Sequence, residues 1–347
     1  MAQETNGGTG SKLMPPLQQT LPNMWIPILA VVAGLIVLTW SADRFVLGAS
    51  GLARGLGVTP LLIGLTIVAF GTSAPEVFVS VLAALQGNPG LAIGNAIGSN
   101  IANIGLVLGA SALIAPLLVR SAILRREFPV LLLVTLLGFA LILDGTLGRI
   151  DGLILVTGLV LLITWLIFSA MRGRMEPDVL GVDLTEAVPA AMPLPRALGL
   201  LGLGLVLLLL SSQALVWGAV EIAGALGVSD LIIGLTIVAI GTSLPELATS
   251  VVAAWKGENE LAIGNIIGSN LFNLLAVLAV PALLAPGLLE NTVLIRDYPV
   301  MLGLTFLLFL LALGPRRGPG TVRRREGVLL LALFAAYLML LGWTATA

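Results

Sequence analysis

The chain has 347 residues, 58% hydrophobic and 10% charged, with a net charge of −1. A soluble domain carries about 25% charged residues, so this composition belongs to a polytopic membrane protein. With no Cys and no His, disulfides, thiolate or imidazole metal centres and Ser-His catalysis of the usual form are excluded. Oxygen ligands remain, and these suit hard cations.

Residues 1–23 are polar and rich in Gly, Gln and Pro. They lack the basic start and apolar core of a signal peptide, so a disordered tail is expected. Ten apolar runs long enough to cross a bilayer follow, at roughly 24–43, 58–85, 91–117, 128–144, 151–170, 197–220, 230–254, 261–286, 298–314 and 327–344. Most connections are short. The longest, 171–196, carries mixed charges and four prolines and reads as a linker. It divides the chain into 24–170 and 197–347, five predicted spans each.

The halves are copies. Shifted by 170 residues, positions 63–103 match 233–273 at 27 of 41 places. Beyond that core, Arg126-Glu127-Phe128-Pro129 matches Arg296-Asp297-Tyr298-Pro299. Basic residues set the expected orientation. Fourteen of the 17 Lys and Arg fall in the odd-to-even connections and three on the other side. The positive-inside rule then places the odd-to-even connections in the cytoplasm and both termini outside the cell membrane. Five spans per half is an odd number, so two equivalent halves must lie upside down relative to each other. Inverted repeats with a midplane site are the architecture of secondary transporters. The expected fold is therefore an all-α polytopic membrane protein of ten transmembrane helices in two inverted five-helix repeats.

The most informative stretch is residues 64–76, GLTIVAFGTSAPE, repeated at 234–246 as GLTIVAIGTSLPE. Of the 18 acidic residues, Glu76 and Glu246 alone lie well inside predicted spans. An ionisable group there costs at least about 2.5 kcal/mol, and no Lys or Arg is predicted deep in a span to offset it. Protons or bound cations must do so. A protonated Glu hydrogen-bonded within the bundle is the alternative, and the recurrence of Glu in both halves argues against it. Thr72, Ser73 and Glu76 are spaced to share one helical face, as are Thr242, Ser243 and Glu246. Pro75 and Pro245 lack an N–H, so the carbonyls of Gly71 and Gly241 should lose their helical donors. Irregular backbone at membrane depth is tolerated where it faces protein or a water-filled cavity.

The next spans carry LAIGNAIGSNIAN (91–103) and LAIGNIIGSNLFN (261–273). Asn95, Ser99 and Asn103 fall on one face, with Gly94, Gly98 and Ala102 beside them as a stripe suited to close helix packing. The polar face suits ion ligation by Ser99, Asn103, Ser269 and Asn273, with interhelical hydrogen bonding as the plainer reading. Asn100 and Asn270 point off it and are expected to cap backbone.

The doubled pair GTSAPE…GNAIGSNIAN and GTSLPE…GNIIGSNLFN resembles the alpha repeats of the cation/calcium exchanger superfamily, and is most similar to the prokaryotic sodium/calcium exchangers. The resemblance covers about 80 residues of each half. It implies alternating-access antiport of Ca2+ against Na+, with the first and sixth helices sliding across a fixed core. It implies that Glu76 and Glu246 bind Ca2+ with oxygens of Thr72 and Thr242. Ser73, Ser243, Ser99, Ser269 and the carbonyls of Ala69 and Ala239 would complete the sodium sites, and Asn103 would hold the central position. The counterpart of Asn103 is commonly Asp in that family, and here it is Asn273. No cofactor, enzyme activity or nucleic-acid partner is expected. The partners expected are the lipid bilayer and the transported Ca2+ and Na+. An H+/Ca2+ or other divalent-cation antiporter of the same fold is the nearest alternative, and a channel is more distant. GNAIGSN lacks the GK[ST] of a phosphate-binding loop and sits in an apolar run, so that reading is rejected.

Overall fold

The computed structural model describes residues 24–119, 121–173, 192–226, 239–312 and 320–346. The expected tail and most of the expected linker, 174–191, lie outside the described residues. In chain order the helices are α1 (Trp25–Leu56), α2 (Pro60–Thr72), α3 (Ala74–Leu85), α4 (Pro89–Ile114), α5 (Ser121–Ile142), α6 (Arg149–Gly173), α7 (Leu194–Ala225), α8 (Ala239–Thr242), α9 (Leu244–Trp255), α10 (Asn259–Leu284), α11 (Val293–Ala312) and α12 (Arg324–Thr346). Among the described residues, seven helices are long and apolar enough to span a bilayer, and α2 with α3 forms an eighth span bent by 42°. The remaining two candidates are α5, which carries Arg125, Arg126 and Glu127 in its second turn, and the segment ending in α8 and α9.

Local signals set the ends. Gly57, at φ +65°, closes α1 and donates its N–H to Ala53 and Arg54 carbonyls, a left-handed C-terminal cap that glycine adopts without Cβ strain. Thr59 accepts from the Leu62 N–H and Pro60 opens α2, as an N-cap followed by proline should. Asn88 and Pro89 repeat that device at the start of α4.

One boundary differs from expectation. The first span was predicted to stop near residue 43, but α1 continues to Leu56. Asp43, Arg44 and Arg54 therefore stand on the helix rather than in a loop. They are accommodated because their side chains are partly exposed and paired: Asp43 with Lys256 at 2.6 Å, Arg54 with Glu258 at 3.3 Å, and Arg44 over the Trp40 ring.

The layers follow from burial. In α10 and α4, 83% and 72% of the apolar window is buried, against 28% and 22% in α1 and α7. The former are the core and the latter its flank. Helices α1 and α7 run antiparallel. A Cβ at Gly218 would lie 2.6 Å from the Pro27 carbonyl oxygen, and one at Gly204 2.6 Å from the Phe45 nitrogen. At Gly34 it would lie 3.1 Å from the Ser211 oxygen, and at Gly48 it would meet the Leu201 backbone. Gly34 and Gly48 are the repeat counterparts of Gly204 and Gly218. A helix packed antiparallel to its own copy places the two halves upside down.

Two short antiparallel pairings mark opposite ends of the bundle. β1 (Leu117–Val119) pairs with β4 (Gly320–Val322), Leu117 facing Val322. β2 (Thr146–Leu147) pairs with β3 (Gly287–Leu288), Thr146 facing Leu288. The first joins connections 3–4 and 9–10, and the second joins 4–5 and 8–9, the same grouping that the basic residues give.

Candidate ion-binding site

Four breaks in regular helix converge at the centre. α2 ends at Thr72 and α3 begins at Ala74; α8 ends at Thr242 and α9 begins at Leu244. The breaks fall at Ser73 and Ser243, two residues before each proline. Facing them, α4 and α10 change to π-helical turns at Asn103–Leu108 and Asn273–Val277. The Leu278 N–H reaches back five residues to the Asn273 carbonyl at 2.9 Å. Single π turns inside helices occur frequently at functional sites. Nothing in the apolar sequence of these stretches signalled them.

These breaks bring the expected residues together. Glu76, Glu246, Thr72, Ser73, Ser243, Ser99, Ser269, Asn103, Asn273 and Ala69 are all at most 3% exposed. Thr242 is half-buried and lines the cavity described below. Ala239 begins α8, and its side chain lies outside the described ones. The two repeats interleave. Ser73 of the first donates to Glu246 Oε1 of the second at 3.0 Å, and Ser243 of the second lies beside Glu76 of the first. Thr72 donates to Asn265 Oδ1 at 3.2 Å. Glu76 and Glu246 are close enough for their charges to repel.

The orphaned atoms are concentrated here. Both carboxylate oxygens of Glu76, Glu246 Oε2, the Ser243 and Ser269 hydroxyls, and both ends of the Asn103 and Asn273 amides are buried without a partner among the described residues. A buried polar atom left unpaired costs about 1–3 kcal/mol, more for a charged group, and native interiors tolerate few. So many buried, unpaired groups, mostly oxygens, are of the donor type that a desolvated hard cation takes.

Asn95 and Asn265 hold the shell in place, a role the expected ligand set omitted. Asn95 Nδ2 donates at 2.9 Å both to the Glu76 carbonyl and to the Ser80 hydroxyl. Asn265 Nδ2 donates to Ser250 at 2.9 Å and to the Glu246 carbonyl at 3.5 Å. Each fastens a core helix to the backbone of a carboxylate. Their place on the Ser–Asn face was the available signal.

Three expectations change. Asn100 is not a cap: its amide donates to Ala96 one turn back in the same helix, and the Asn270 amide has no partner. The carbonyl freed by Pro245 is taken up, since Ser212 of α7 donates to the Gly241 oxygen at 3.1 Å. Among the described residues, the small-residue stripe packs closely in one repeat only. A Cβ at Gly268 would lie 2.6 Å from Ala69 Cβ and one at Gly264 2.6 Å from the Leu61 carbonyl oxygen, whereas Gly94 and Gly98 meet nothing within 4 Å among the described residues.

The space beside Gly94 and Gly98 is a cavity of 540 Å³. It runs from the turn at Asn88–Gly90 and the connection at Leu288–Thr292, past Arg296 and Asp297, to Ser99 and Thr242. At the opposite end, beside Arg126 and Glu127, the corresponding space is 160 Å³ and reaches none of the orphaned ligands. Among the described residues, the larger of these two spaces is the one that reaches Ser99 and Thr242.

A duplicated helical half with broken helices meeting at paired buried carboxylates has the parts of a cation exchanger. The family model for "Sodium/calcium exchanger protein" matches residues 26–172 and again 196–343. The chain belongs to this family. It is a multi-pass membrane transporter of cations, not an enzyme. The exchanger is 49% identical to the putative antiporter CaxA of Alkalimonas amylolytica, over 92% of this chain and 99% of that one. It is 43% identical to the inner membrane protein YrbG of Escherichia coli, over 90% and 96%. A solved structure of the sodium-calcium exchanger NCX_Mj superposes with TM-score 0.77 at 35% identity, covering 91% of this chain and 98% of that one.

Proposed function

We propose that the exchanger moves Ca2+ against Na+ by alternating access, and that the cluster between the repeats is where both ions bind. The observation that carries this is the pair Glu76 and Glu246: two buried carboxylates from opposite repeats, with three of their four oxygens unpartnered. Together they supply a formal charge of −2, which one Ca2+ or two Na+ would neutralise. Glu76 and Glu246 would bind Ca2+ with Thr72 and Thr242. Ser73, Ser243, Ser99, Ser269 and the carbonyls of Ala69 and Ala239 would serve Na+, with Asn103 and Asn273 as neutral amides at the centre. The likeness to NCX_Mj, a sodium-calcium exchanger, supports the choice of ions.

A second reading is favoured by one feature. With Asn at both central positions, two protons would satisfy the same charge balance as two Na+, so H+ could drive the exchange. The deciding measurement is 45Ca2+ uptake into proteoliposomes under imposed Na+, H+ or K+ gradients. Uptake driven by Na+ alone is expected; uptake that follows the proton gradient and ignores Na+ would establish the second reading instead.

The cavity mouth lies on the side of the even-to-odd connections. The distribution of basic residues supports placing that side, and both termini, outside the cytoplasm. A cysteine at Ser169 is a clean reporter because the chain has no other. Its labelling by an impermeant maleimide from outside intact cells would reverse the orientation.

A further inference from the structure

We propose that the ion pairs Asp43–Lys256 and Arg54–Glu258 form a latch, built into one repeat only, that favours the state in which the cavity at Gly94 and Gly98 is open. The inference rests on the exchanger reading but not on which ions are exchanged.

The turn between α9 and α10 reads Lys256-Gly257-Glu258, with Gly257 at φ +77°. Its repeat counterpart, between α3 and α4, reads Gln86-Gly87-Asn88, with Gly87 at φ +74°. The backbones are twins and the charges are not. Lys256 Nζ reaches Asp43 at 2.6 Å and Arg54 reaches Glu258 at 3.3 Å. Both partners stand on α1. On α7 the positions equivalent to Asp43 and Arg54 are Gln213 and Gly224. All four charges of the latch are therefore absent from the other repeat.

The latch sits where the packing is asymmetric. α1 packs against α9, while its counterpart α7 makes no comparable packing on α3. The latched turn precedes α10, whose Gly264 and Gly268 are pressed against α2. The unlatched turn, at Asn88, borders the open cavity. Since the halves are equivalent, the opposite state is the one in which they exchange arrangements. α1 must then stand off α9 as α7 now stands off α3, and both ion pairs must break. The four equivalent positions, Gln86, Asn88, Gln213 and Gly224, carry no charge with which to replace them. The latch thus stabilises one state of the cycle and leaves the other without a counterpart.

The test uses the full chain, purified and free of Na+ and Ca2+, with two single-cysteine reporters. Val79→Cys lines the open cavity. Thr249→Cys is its repeat counterpart, fully buried, with a hydroxyl that has no partner. Maleimide should label the first quickly and the second slowly. Replacing Lys256→Gln with Glu258→Asn, the residues of the other repeat, should slow Val79→Cys and speed Thr249→Cys. Exposed ion pairs are individually weak, so a shift of about two- to tenfold is expected. Raising choline chloride from about 0.05 to 0.5 M should move the unsubstituted latch the same way, because exposed charges are screened, and needs no variant that must fold. Arg54→Glu should reproduce part of the shift, and adding Glu258→Arg should restore it. Unchanged rates in both salt and variant overturn the proposal, as do rates that rise together, which would report loosening rather than a change of state.

Discussion

The two repeats agree at 27 of 41 core positions yet stand in different surroundings. Gly94 and Gly98 face a cavity, while Gly264 and Gly268, in the same GNxIGSN context, touch the backbone of α2. Asn95 is half-buried and Asn265 fully so. Identical residues in unlike environments place the difference at these positions in the arrangement of the helices, since the stripe itself is the same in both halves. One sequence pattern serves as a passage wall in one repeat and as a packed seal in the other. A transporter built this way can exchange the two roles without changing its ligands.

The sharpest way to test the equivalence is to remove one carboxylate at a time. Glu76→Gln and Glu246→Gln are each expected to reduce Ca2+ exchange to background while the protein remains folded. One carboxylate cannot neutralise a divalent ion, and the residual charge in a low-dielectric core is costly. Near wild-type flux in either variant would remove that residue from the site.

The seal and the passage wall can be separated by one methyl group. Gly268→Ala would press a Cβ to 2.6 Å from that of Ala69 and 2.7 Å from the Leu65 carbonyl oxygen; Gly98→Ala would meet nothing within 4 Å among the described residues. Overpacking of this kind costs about 1–3 kcal/mol, charged only to the state in which the contact exists. Gly268→Ala should therefore favour the opposite state, and Gly98→Ala the present one. Labelling of the Val79→Cys reporter should fall in the first background and hold or rise in the second. Movement in the same direction would show that the glycines are not in exchanging roles.

Much of this was legible in the sequence because its causes are local. The duplication, the odd number of spans per half and the basic-residue bias gave inverted repeats, and a Glu in an apolar run is costly wherever it occurs. What escaped depends on distant partners. Arg54 reads as a loop residue until Glu258, 204 positions away, appears beside it. The π turns at Asn103 and Asn273 lie in ordinary apolar helix sequence. Proline showed that a carbonyl would lose its donor, but not that Ser212, 29 residues earlier, would supply another. The glycine stripe indicated close packing, but a conformational state is not written in a repeat that both halves share.

The central amides offer a smaller perturbation. Asn273→Asp adds a titratable group where wild type has none. When protonated, the added carboxyl is neutral like the amide, so the variant should match wild type at the acid end. As pH rises and the proton leaves, it adds a negative charge and the flux should diverge. Na+-driven Ca2+ flux between about pH 5 and 8 measures this. Superimposable profiles would place the position outside the ion pathway or keep its proton bound throughout. Complete loss would show that the amide is needed for structure, and the ligand role proposed for Asn273 would fail.

The smallest effect concerns the one hydrogen bond by which α7 compensates a proline break. Ser212 donates to the Gly241 carbonyl oxygen at 3.1 Å, the carbonyl that Pro245 deprives of its helical donor. The counterpart of Ser212 in the first repeat is Ala42, so this bond has no twin. Ser212→Ala should lower thermal stability by about 1 kcal/mol, the net worth of one buried hydrogen bond, and reduce exchange only a few-fold. The stronger test is a cycle with Pro245→Ala. That change returns an N–H four residues after Gly241, able to satisfy the same carbonyl. In its presence the serine has less to supply, and the cost of Ser212→Ala should shrink, giving a coupling of roughly 0.5–1 kcal/mol. Additive losses would mean that Ser212 acts elsewhere. A collapse of transport as deep as that of Glu246→Gln would mean that the hydroxyl binds the ion itself rather than the carbonyl beside it.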